Sequence, residues 1–228
     1  MKAPTQVEGL KALYTRAKTI VSEIHERWSA KQFESKFGID TTGTDYDMAS
    51  LGGTGEHLPD ATGHEPIQHK VFNVMIRAAS VDPADYTFID YGSGKSRALL
   101  LAAEAHFQRV IGIEFASYLY EAENRNIALY AIRQPHLLIE NLHQDAATFP
   151  IPDGKVFLYF YNPFGPTVLR IITRMIAARA AEQDLDGIVA YRNPVHAEVF
   201  DELQCLKPMA RNNSFAIYRG ASKVTKGH

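Results

Sequence analysis

The sequence has a single cysteine, Cys205, among its 228 residues, so no disulfide can form within the chain. A lone thiol is typical of proteins in a reducing compartment, and we therefore expect a cytoplasmic location. Long uncharged apolar runs are also missing, because charged residues interrupt the N-terminal segment at short intervals. Neither a signal peptide nor a membrane span is therefore expected.

The sequence has no excess of charge of either sign. Its 24 Lys and Arg residues nearly balance 26 Asp and Glu residues, giving a net charge of −2. This balance provides no general attraction to nucleic acid or to an anionic membrane. No membrane partner is therefore expected, and there is no strong signal for nucleic acid. Hydrophobic residues make up 46% of the chain, which is ample for the core of one domain of ordinary size.

What the sequence does have is a nucleotide-binding pattern around residues 86–114. A short apolar run ends on Asp90 and is followed by a Gly92-x-Gly94 turn, a helical pattern and a second apolar run that ends on Glu114. The order of strand, glycine turn, helix and strand predicts one half of a nucleotide-binding α/β sheet. An acid at the tip of the second strand is placed to hold a ribose diol by two hydrogen bonds.

The glycine pattern does not fit a dinucleotide. The G-x-G-x-x-G fingerprint is incomplete, because Arg97 stands where its third glycine would lie. Asp90 would also bring negative charge close to a pyrophosphate, whereas it suits a ligand that carries an ammonium group. Both features argue against a nucleotide-binding oxidoreductase.

The N-terminal part of the chain predicts a helix followed by a lid. From residue 5 to about residue 36, apolar side chains from Val7 to Trp28 recur every three or four positions and form one stripe. This stripe either packs on the protein's own sheet or forms the seam of a homodimer. Residues 38–63 are rich in turn formers and predict a lid over cofactor and substrate. The spacing of the histidines in and after this loop matches no metal site, and none is expected.

The remaining pattern predicts an α/β fold: a Rossmann-like, seven-stranded, mostly parallel sheet with helices on both faces and an N-terminal helical extension. We divide the chain into a helical cap and lid (1–63), a main domain (64–220) and a polar tail (221–228). After the second strand, the predicted elements are a helix capped by Ser117 and strands at 136–140, 156–161, 187–191, 206–210 and 214–219. A further helix is predicted at 67–79, with Pro66 near its first turn.

Polar residues follow four consecutive predicted strands: Asp90, Glu114, Asp145 and Asn162. The carboxyl ends of parallel strands meet at one edge of a sheet, and ligands of open α/β sheets bind there. The four residues together therefore predict a binding site at this edge.

The Asp90-x-Gly92-x-Gly94 turn with Glu114 resembles the first motif and the ribose-binding acid of class I, seven-β-strand methyltransferases, which use S-adenosyl-L-methionine (SAM). The resemblance covers roughly residues 64–219 and departs at Ser96, where many members carry glycine. It implies SAM as cofactor, with Asp145 contacting the adenine amine. The cofactor contacts that it implies are Asp90, Gly92, Ser93, Gly94, Glu114, Asp145, Ala146 and Asn162. Glu65 either reaches the cofactor's ammonium or caps the following helix.

The Asn162-Pro163-Phe164 sequence resembles the Asn/Asp-Pro-Pro-Tyr/Phe loop of amino (N-) methyltransferases, shortened by one proline. The resemblance implies that the Asn162 side chain and the Pro163 carbonyl accept hydrogen bonds from the target nitrogen. Phe164 then packs on the acceptor, and Tyr161 completes a dry aromatic surround. The simpler alternative is that Asn162-Pro163 only ends a strand. Together with Gly92-Ser93-Gly94 and Glu114, this loop is also similar to that of the seven-strand lysine methyltransferases of the Dot1 type.

The predicted function is methyl transfer from SAM to a nitrogen of a small molecule or of a protein side chain such as lysine. An alternative is transfer to oxygen, which would need a general base such as His143, His196 or His64. A third possibility is a SAM-binding regulator or scaffold without turnover.

Overall fold

The computed structural model describes residues 6–136, 138–182 and 185–220. Six α-helices lie in this part of the chain: α1 (Gln6–Phe37), α2 (His69–Ala79), α3 (Arg97–Glu104), α4 (Ser117–Arg133), α5 (Pro166–Glu182) and α6 (Glu198–Asp201). Its seven strands are β1 (Thr87–Tyr91), β2 (Arg109–Glu114), β3 (Ile139–His143), β4 (Val156–Tyr161), β5 (Gly187–Arg192), β6 (Leu206–Arg211) and β7 (Phe215–Gly220).

The seven strands form one sheet in the order β3-β2-β1-β4-β5-β7-β6. Strands β1 to β5 are parallel, and the hairpin of β6 and β7 joins antiparallel to β5. The predicted Rossmann-like, mostly parallel seven-stranded sheet is therefore confirmed. Because the order reverses between β1 and β4, the crevice at their carboxyl ends is the position where such sheets bind ligands.

Both faces of the sheet are covered, which explains the continuous apolar runs of its central strands. Side chains alternate between two cores: Phe88 and Phe157 pack under α2 and α3, whereas Ile89 and Leu158 pack under α5. In β4 all residues from Val156 to Phe160 are buried. The core thus fixes the strand ends that form the site.

The clearest differences from the predicted elements are at β3, α2 and α4. Strand β3 runs from Ile139 to His143, later than the predicted 136–140, and its mixed burial explains the weak pattern; Leu137 lies outside the described residues. Helix α2 begins at His69, so Pro66 precedes it. Ser117 is the first residue of α4 and does not cap it, and its hydroxyl instead donates to the Gly52 carbonyl at 3.4 Å.

The apolar stripe of α1 does not pack on the sheet, so that interpretation is wrong. Along the stripe the described side chains are largely exposed, by 73% at Tyr14 and 58% at Trp28. Among the side chains of this helix that the structure describes, Phe33 and Phe37 at its C-terminal end join the core. The side chains of Val7 and Leu10 lie outside those described. A homodimer seam on this helix remains a prediction.

The loop at 38–63 lies across the carboxyl edge of the sheet. It forms antiparallel bridges from Asp45 to His64 and from Ala61 to Phe164. Met48 and Leu51 are buried against α4. The division at residue 63 stays a prediction, and the predicted tail at 221–228 lies outside the described residues. Among those that are described, no helix is long and apolar enough to span a lipid bilayer.

Candidate active site

A pocket opens at the carboxyl ends of β1 to β4, with about 830 Å³ of empty space including the part open to solvent. Its walls include Asp145, Glu114, Asp90 and Tyr161, one each from the ends of β3, β2, β1 and β4. Of the predicted site residues, the structure brings all but Asn162 into the pocket wall: Glu65, Asp90, Gly92, Ser93, Gly94, Glu114, Asp145, Ala146, Tyr161, Pro163 and Phe164.

The glycine turn between β1 and α3 needs its two glycines. Gly92 and Gly94 have positive φ angles of 90° and 59°, which disfavour other residues. A Cβ atom on Gly92 would lie 2.9 Å from the Cβ of Pro163, and one on Gly94 would collide with the ring of His64. The turn is thus packed directly against the Asn162-Pro163-Phe164 loop and against the end of the lid.

Glu114 holds the glycine turn in place. Its two carboxylate oxygens accept hydrogen bonds from the amide of Gly94 at 2.9 Å and from the amide of Ala116 at 2.8 Å. Burial raises the pKa of Glu114, and these backbone donors act in the opposite direction. Each carboxylate oxygen has a second lone pair, so the same group can also accept from ribose hydroxyls.

Asp90 is a buried carboxylate without a compensating partner. It is 3% exposed, and its Oδ1 has no hydrogen-bond partner among the described residues. Burial, followed by the negative charge of Glu114, raises the pKa of Asp90 well above the usual range. A buried unpaired acid is costly, so the geometry fits a cationic ligand group at this point.

A third buried acid, Glu123 of α4, was missed by the sequence analysis. It is fully buried beneath the Gly92–Gly94 turn, where a Cβ on Gly112 would lie 2.7 Å from its carboxylate oxygen. Burial raises the pKa of Glu123 well above its usual range, and Glu114 and Asp90 raise it further. Its spacing of four residues from Leu119 and three from Asn126, both buried on this helix, could have revealed it.

The end of β3 contacts the lid. The Oδ1 atom of Asp145 accepts from the amide of Ala147 at 2.8 Å, and its Oδ2 lies 2.6 Å from His57 Nδ1. The hydrogen bond to Asp145 is the main cause that raises the pKa of His57. This role of His57 was not predicted from the sequence, since nothing in the loop pattern indicates its partner.

The Asn162-Pro163-Phe164 loop departs in one respect from its expected geometry. Asn162 does not line the pocket: its Oδ1 accepts from the Tyr191 hydroxyl at 2.9 Å, and its φ is positive at 39°. Its main-chain oxygen accepts from the Thr62 hydroxyl, and the Pro163 carbonyl accepts from the Thr62 amide at 3.2 Å. Of the two acceptors expected to face the target nitrogen, the Pro163 carbonyl is therefore occupied by Thr62 of the lid and the Asn162 side chain by Tyr191.

The lid is also anchored to the start of α5. The Asp60 carboxylate accepts from the Val168 amide at 2.7 Å, and the Asp60 carbonyl accepts from the Gly165 amide at 2.6 Å. A carboxylate at this position satisfies free N–H groups of the helix and complements its dipole. The contacts of Asp60 and Thr62 hold the lid over the loop that follows β4.

Glu65 belongs to the pocket and does not cap a helix, because the N-cap of α2 is Gln68. Burial, followed by the nearby Glu65 carboxylate, raises the pKa of Tyr161. The capping alternative is therefore wrong, and a contact of Glu65 with a cofactor ammonium stays a prediction.

The histidines proposed as general bases are poorly suited to that role. His64 lines the pocket, but burial, with Lys95 and Arg97 nearby, lowers its pKa to about 4. The ring of His143 stacks on Tyr120, with centroids 4.7 Å apart, and His196 lies beside Glu198. Neither of these two lies in the part of the pocket wall that the structure describes.

The bond between His57 and Asp145 is expected to loosen as the pH rises. A His with a raised pKa contributes stability that is complete below its ordinary pKa of 6.5 and is lost as the pH passes the raised value. Amide hydrogen exchange of residues 54–61, corrected for intrinsic rates, should therefore be faster at about pH 9 than at about pH 6. Asp145→Asn should remove most of this difference; equal protection at both pH values in the wild type would contradict the expectation.

No protein-family model matches the sequence, and no curated protein matches it. Among solved structures, a candidate methyltransferase of Escherichia coli, yhhF, is similar over 79% of this chain and 100% of its own, with 12% identity and a TM-score of 0.53. An RNA methyltransferase from Salinibacter ruber in complex with S-adenosyl-L-homocysteine covers 72% of this chain and 97% of its own, with 20% identity and a TM-score of 0.49.

The similarity to yhhF agrees with the strand order of the sheet. The chain has a Rossmann-like, seven-stranded methyltransferase fold. At such identities the likeness establishes the fold, whereas the cofactor and the reaction rest on the geometry of the site.

Proposed function

We propose that the protein is a SAM-dependent methyltransferase that transfers the methyl group to a nitrogen acceptor. The observation that carries this proposal is the order of polar groups across one pocket, Asp145, Glu114 and Asp90 from β3, β2 and β1. Such an order matches the order of chemical groups along the cofactor: adenine, ribose and amino acid.

Each group has the chemistry that its partner needs. The carboxylate of Asp145, next to Ala146, can accept a hydrogen bond from the exocyclic amine of adenine. The carboxylate of Glu114 can accept hydrogen bonds from the ribose hydroxyls. Asp90 is buried and lacks a partner for Oδ1, so an ammonium group would supply both the charge and the donor. The Gly92-Ser93-Gly94 turn lets the ligand approach the backbone closely.

The end of β4 supports methyl transfer. When bound, SAM would supply an electrophilic methyl on its sulfonium. A nitrogen lone pair would form the new N–C bond while the S–C bond breaks with its electrons remaining on sulfur, and the methylated nitrogen would then release a proton to solvent. Tyr159, Tyr161 and Phe164 line this end of the pocket with aromatic surface. A dry surround of this kind favours a reaction in which the positive charge on sulfur is lost, and the remaining contribution is positioning.

The contacts of Thr62 support nitrogen as the acceptor. The carbonyl oxygens of Asn162 and Pro163 already accept hydrogen bonds from an O–H and an N–H of this residue. When the lid moves, an acceptor's N–H group can take the place of Thr62 without any new loop geometry. Transfer to oxygen is less well supported, because His64, the candidate base that lines the pocket, has a pKa lowered to about 4.

The test is transfer of a labelled methyl group from SAM to a panel of nitrogen acceptors: small amines, lysine-bearing proteins and RNA. RNA is included because bases carry exocyclic amines and because the Salinibacter ruber neighbour is named as an RNA methyltransferase. We expect the label to appear in one class of acceptor and to be absent from that class when the enzyme is omitted. Tight SAM binding without transfer to any acceptor would favour a SAM-binding regulator.

Asn162→Ala is expected to lower turnover by about 10-fold or more while SAM binding changes little, because Asn162 supports the acceptor loop but does not itself line the cofactor pocket. Asn193→Ala is the matched control: Asn193 also follows a strand, and its φ of 50° carries the same backbone strain. Equal turnover by the two variants would show that Asn162 has no special role in the reaction.

A further inference from the structure

Negatively charged side chains predominate in the wall of the pocket. Its described wall contains four carboxylates: Glu65, Asp90, Glu114 and Asp145. Arg97 is the one Lys or Arg among the described residues of that wall. A zwitterionic ligand needs a cation as well as an anion from the protein, and Arg97 is placed to supply it.

Arg97 is held rigidly at the start of α3. Its Nε donates to Thr41 Oγ1 at 2.7 Å, and one terminal nitrogen donates to Glu34 Oε1 at 2.7 Å. Thr41 is fully buried, and Arg97 itself is 7% exposed. A guanidinium has five N–H donors, so these two bonds fix its plane and leave donors for a ligand.

His64 adds a second polar group on the same side of the glycine turn. Its ring lies against Gly94, and its Nε2 is buried without a hydrogen-bond partner among the described residues. Because the ring is neutral, one of its nitrogens carries a hydrogen and can donate it. The other nearby cation, Lys95, is already engaged with the Thr42 carbonyl at 2.7 Å.

We infer that Arg97, assisted by His64, binds the carboxylate of the cofactor's amino-acid group, while Asp90 binds its ammonium. The inference rests on the proposed function, since it assigns one more contact to the same cofactor. A planar guanidinium with free donors is well suited to a carboxylate. The contacts with Glu34 and Thr41 hold the Arg97 side chain in place and so lower the entropic cost of ordering it when the ligand binds.

The test compares SAM with decarboxylated SAM, which keeps the sulfonium, ammonium and adenosine and lacks only the carboxylate. Calorimetry on the wild type should show SAM binding about 10- to 100-fold more tightly, the range expected for a charge-assisted hydrogen bond. Arg97→Met keeps the length of the side chain and removes its donors. It should bring the two affinities close together by weakening SAM alone. Arg97→Lys should restore part of the difference.

Two results would overturn the inference. Equal affinity of the wild type for both ligands would show that the carboxylate has no partner, and this result needs no variant to fold. Equal weakening of both ligands by Arg97→Met would show that Arg97 only braces α1 against α3. By contrast, a wild type that binds neither ligand would remove the proposed function itself, so the two failures are distinguishable.

Discussion

Replacing Asp90 with asparagine is expected to weaken SAM binding by about 10- to 100-fold and, at the same time, to stabilise the ligand-free protein. The first effect follows from loss of the charge that is placed to hold the cofactor's ammonium, an interaction of the strength usual for a buried charge-assisted hydrogen bond. The second follows because Asp90 is 3% exposed and its Oδ1 lacks a partner in the part of the chain that the structure describes.

The stability gain should depend on pH. Asp90 has a raised pKa in the folded state, so the folded protein holds more protons than the unfolded chain above the ordinary carboxyl pKa of 3.8. The free energy of unfolding therefore falls as the pH rises from there towards the raised pKa. The asparagine side chain of the variant does not titrate, so the variant's advantage should grow over this range, to about 1–3 kcal/mol once the acid is ionised.

Thermal unfolding across this pH range and calorimetric titration with SAM measure the two effects. Asp85→Asn is the matched control, since Asp85 is exposed and its carboxylate pairs with Lys155 at 2.9 Å. Exposed pairs contribute about 0–1 kcal/mol, so this variant should change little. A less stable Asp90→Asn, or one that binds SAM as well as the wild type, would contradict the role given to Asp90.

Replacing Glu114 with glutamine should also weaken SAM binding, but it should destabilise the protein. Both carboxylate oxygens accept backbone hydrogen bonds, from Gly94 at 2.9 Å and from Ala116 at 2.8 Å. A glutamine has one carbonyl oxygen, so one of these buried amides would face an NH₂ group. An unsatisfied buried donor costs about 1–3 kcal/mol. Replacing Asp90 or Glu114 by its amide is thus expected to have opposite effects on stability and the same effect on SAM binding.

Thermal unfolding of the Glu114→Gln variant tests this contrast directly. Glu140→Gln provides the control, because Glu140 also lies in a parallel strand but forms an exposed pair with Arg109 at 2.7 Å. We expect a clear loss of stability at position 114 and little change at position 140. The backbone role of Glu114 is refuted by a variant that melts at the wild-type temperature.

The sequence was sufficient to predict the fold and to place the polar strand ends, because the residues that form these features are close together in the chain. A strand, a glycine turn and a following strand occupy neighbouring positions, and parallel strands bring their carboxyl ends together by geometry alone. Asp90, Glu114 and Asp145 could therefore be assigned to one pocket before their contacts were known, and all three line it. Strand β4, buried from Val156 to Phe160, was equally clear from its apolar run.

The lid contacts could not be predicted in this way. His57 meets Asp145 across 88 positions of the chain, and Thr62 meets Asn162 across 100. Neither partner has a sequence pattern, since turn-rich segments lack the periodicity that fixes a register. The exposed stripe of α1 shows a related limit. The spacing indicates that one face is apolar, but it does not indicate what that face contacts.

Calorimetric titration of the purified protein with SAM, and separately with NAD under the same conditions, tests the central claim most directly. We expect SAM to bind at one site per chain with an affinity that the Asp90→Asn variant reduces, and we expect NAD not to bind. Binding of NAD without binding of SAM would show that the pocket at the ends of β1 to β4 holds a different cofactor, and the proposed methyl transfer would then be wrong.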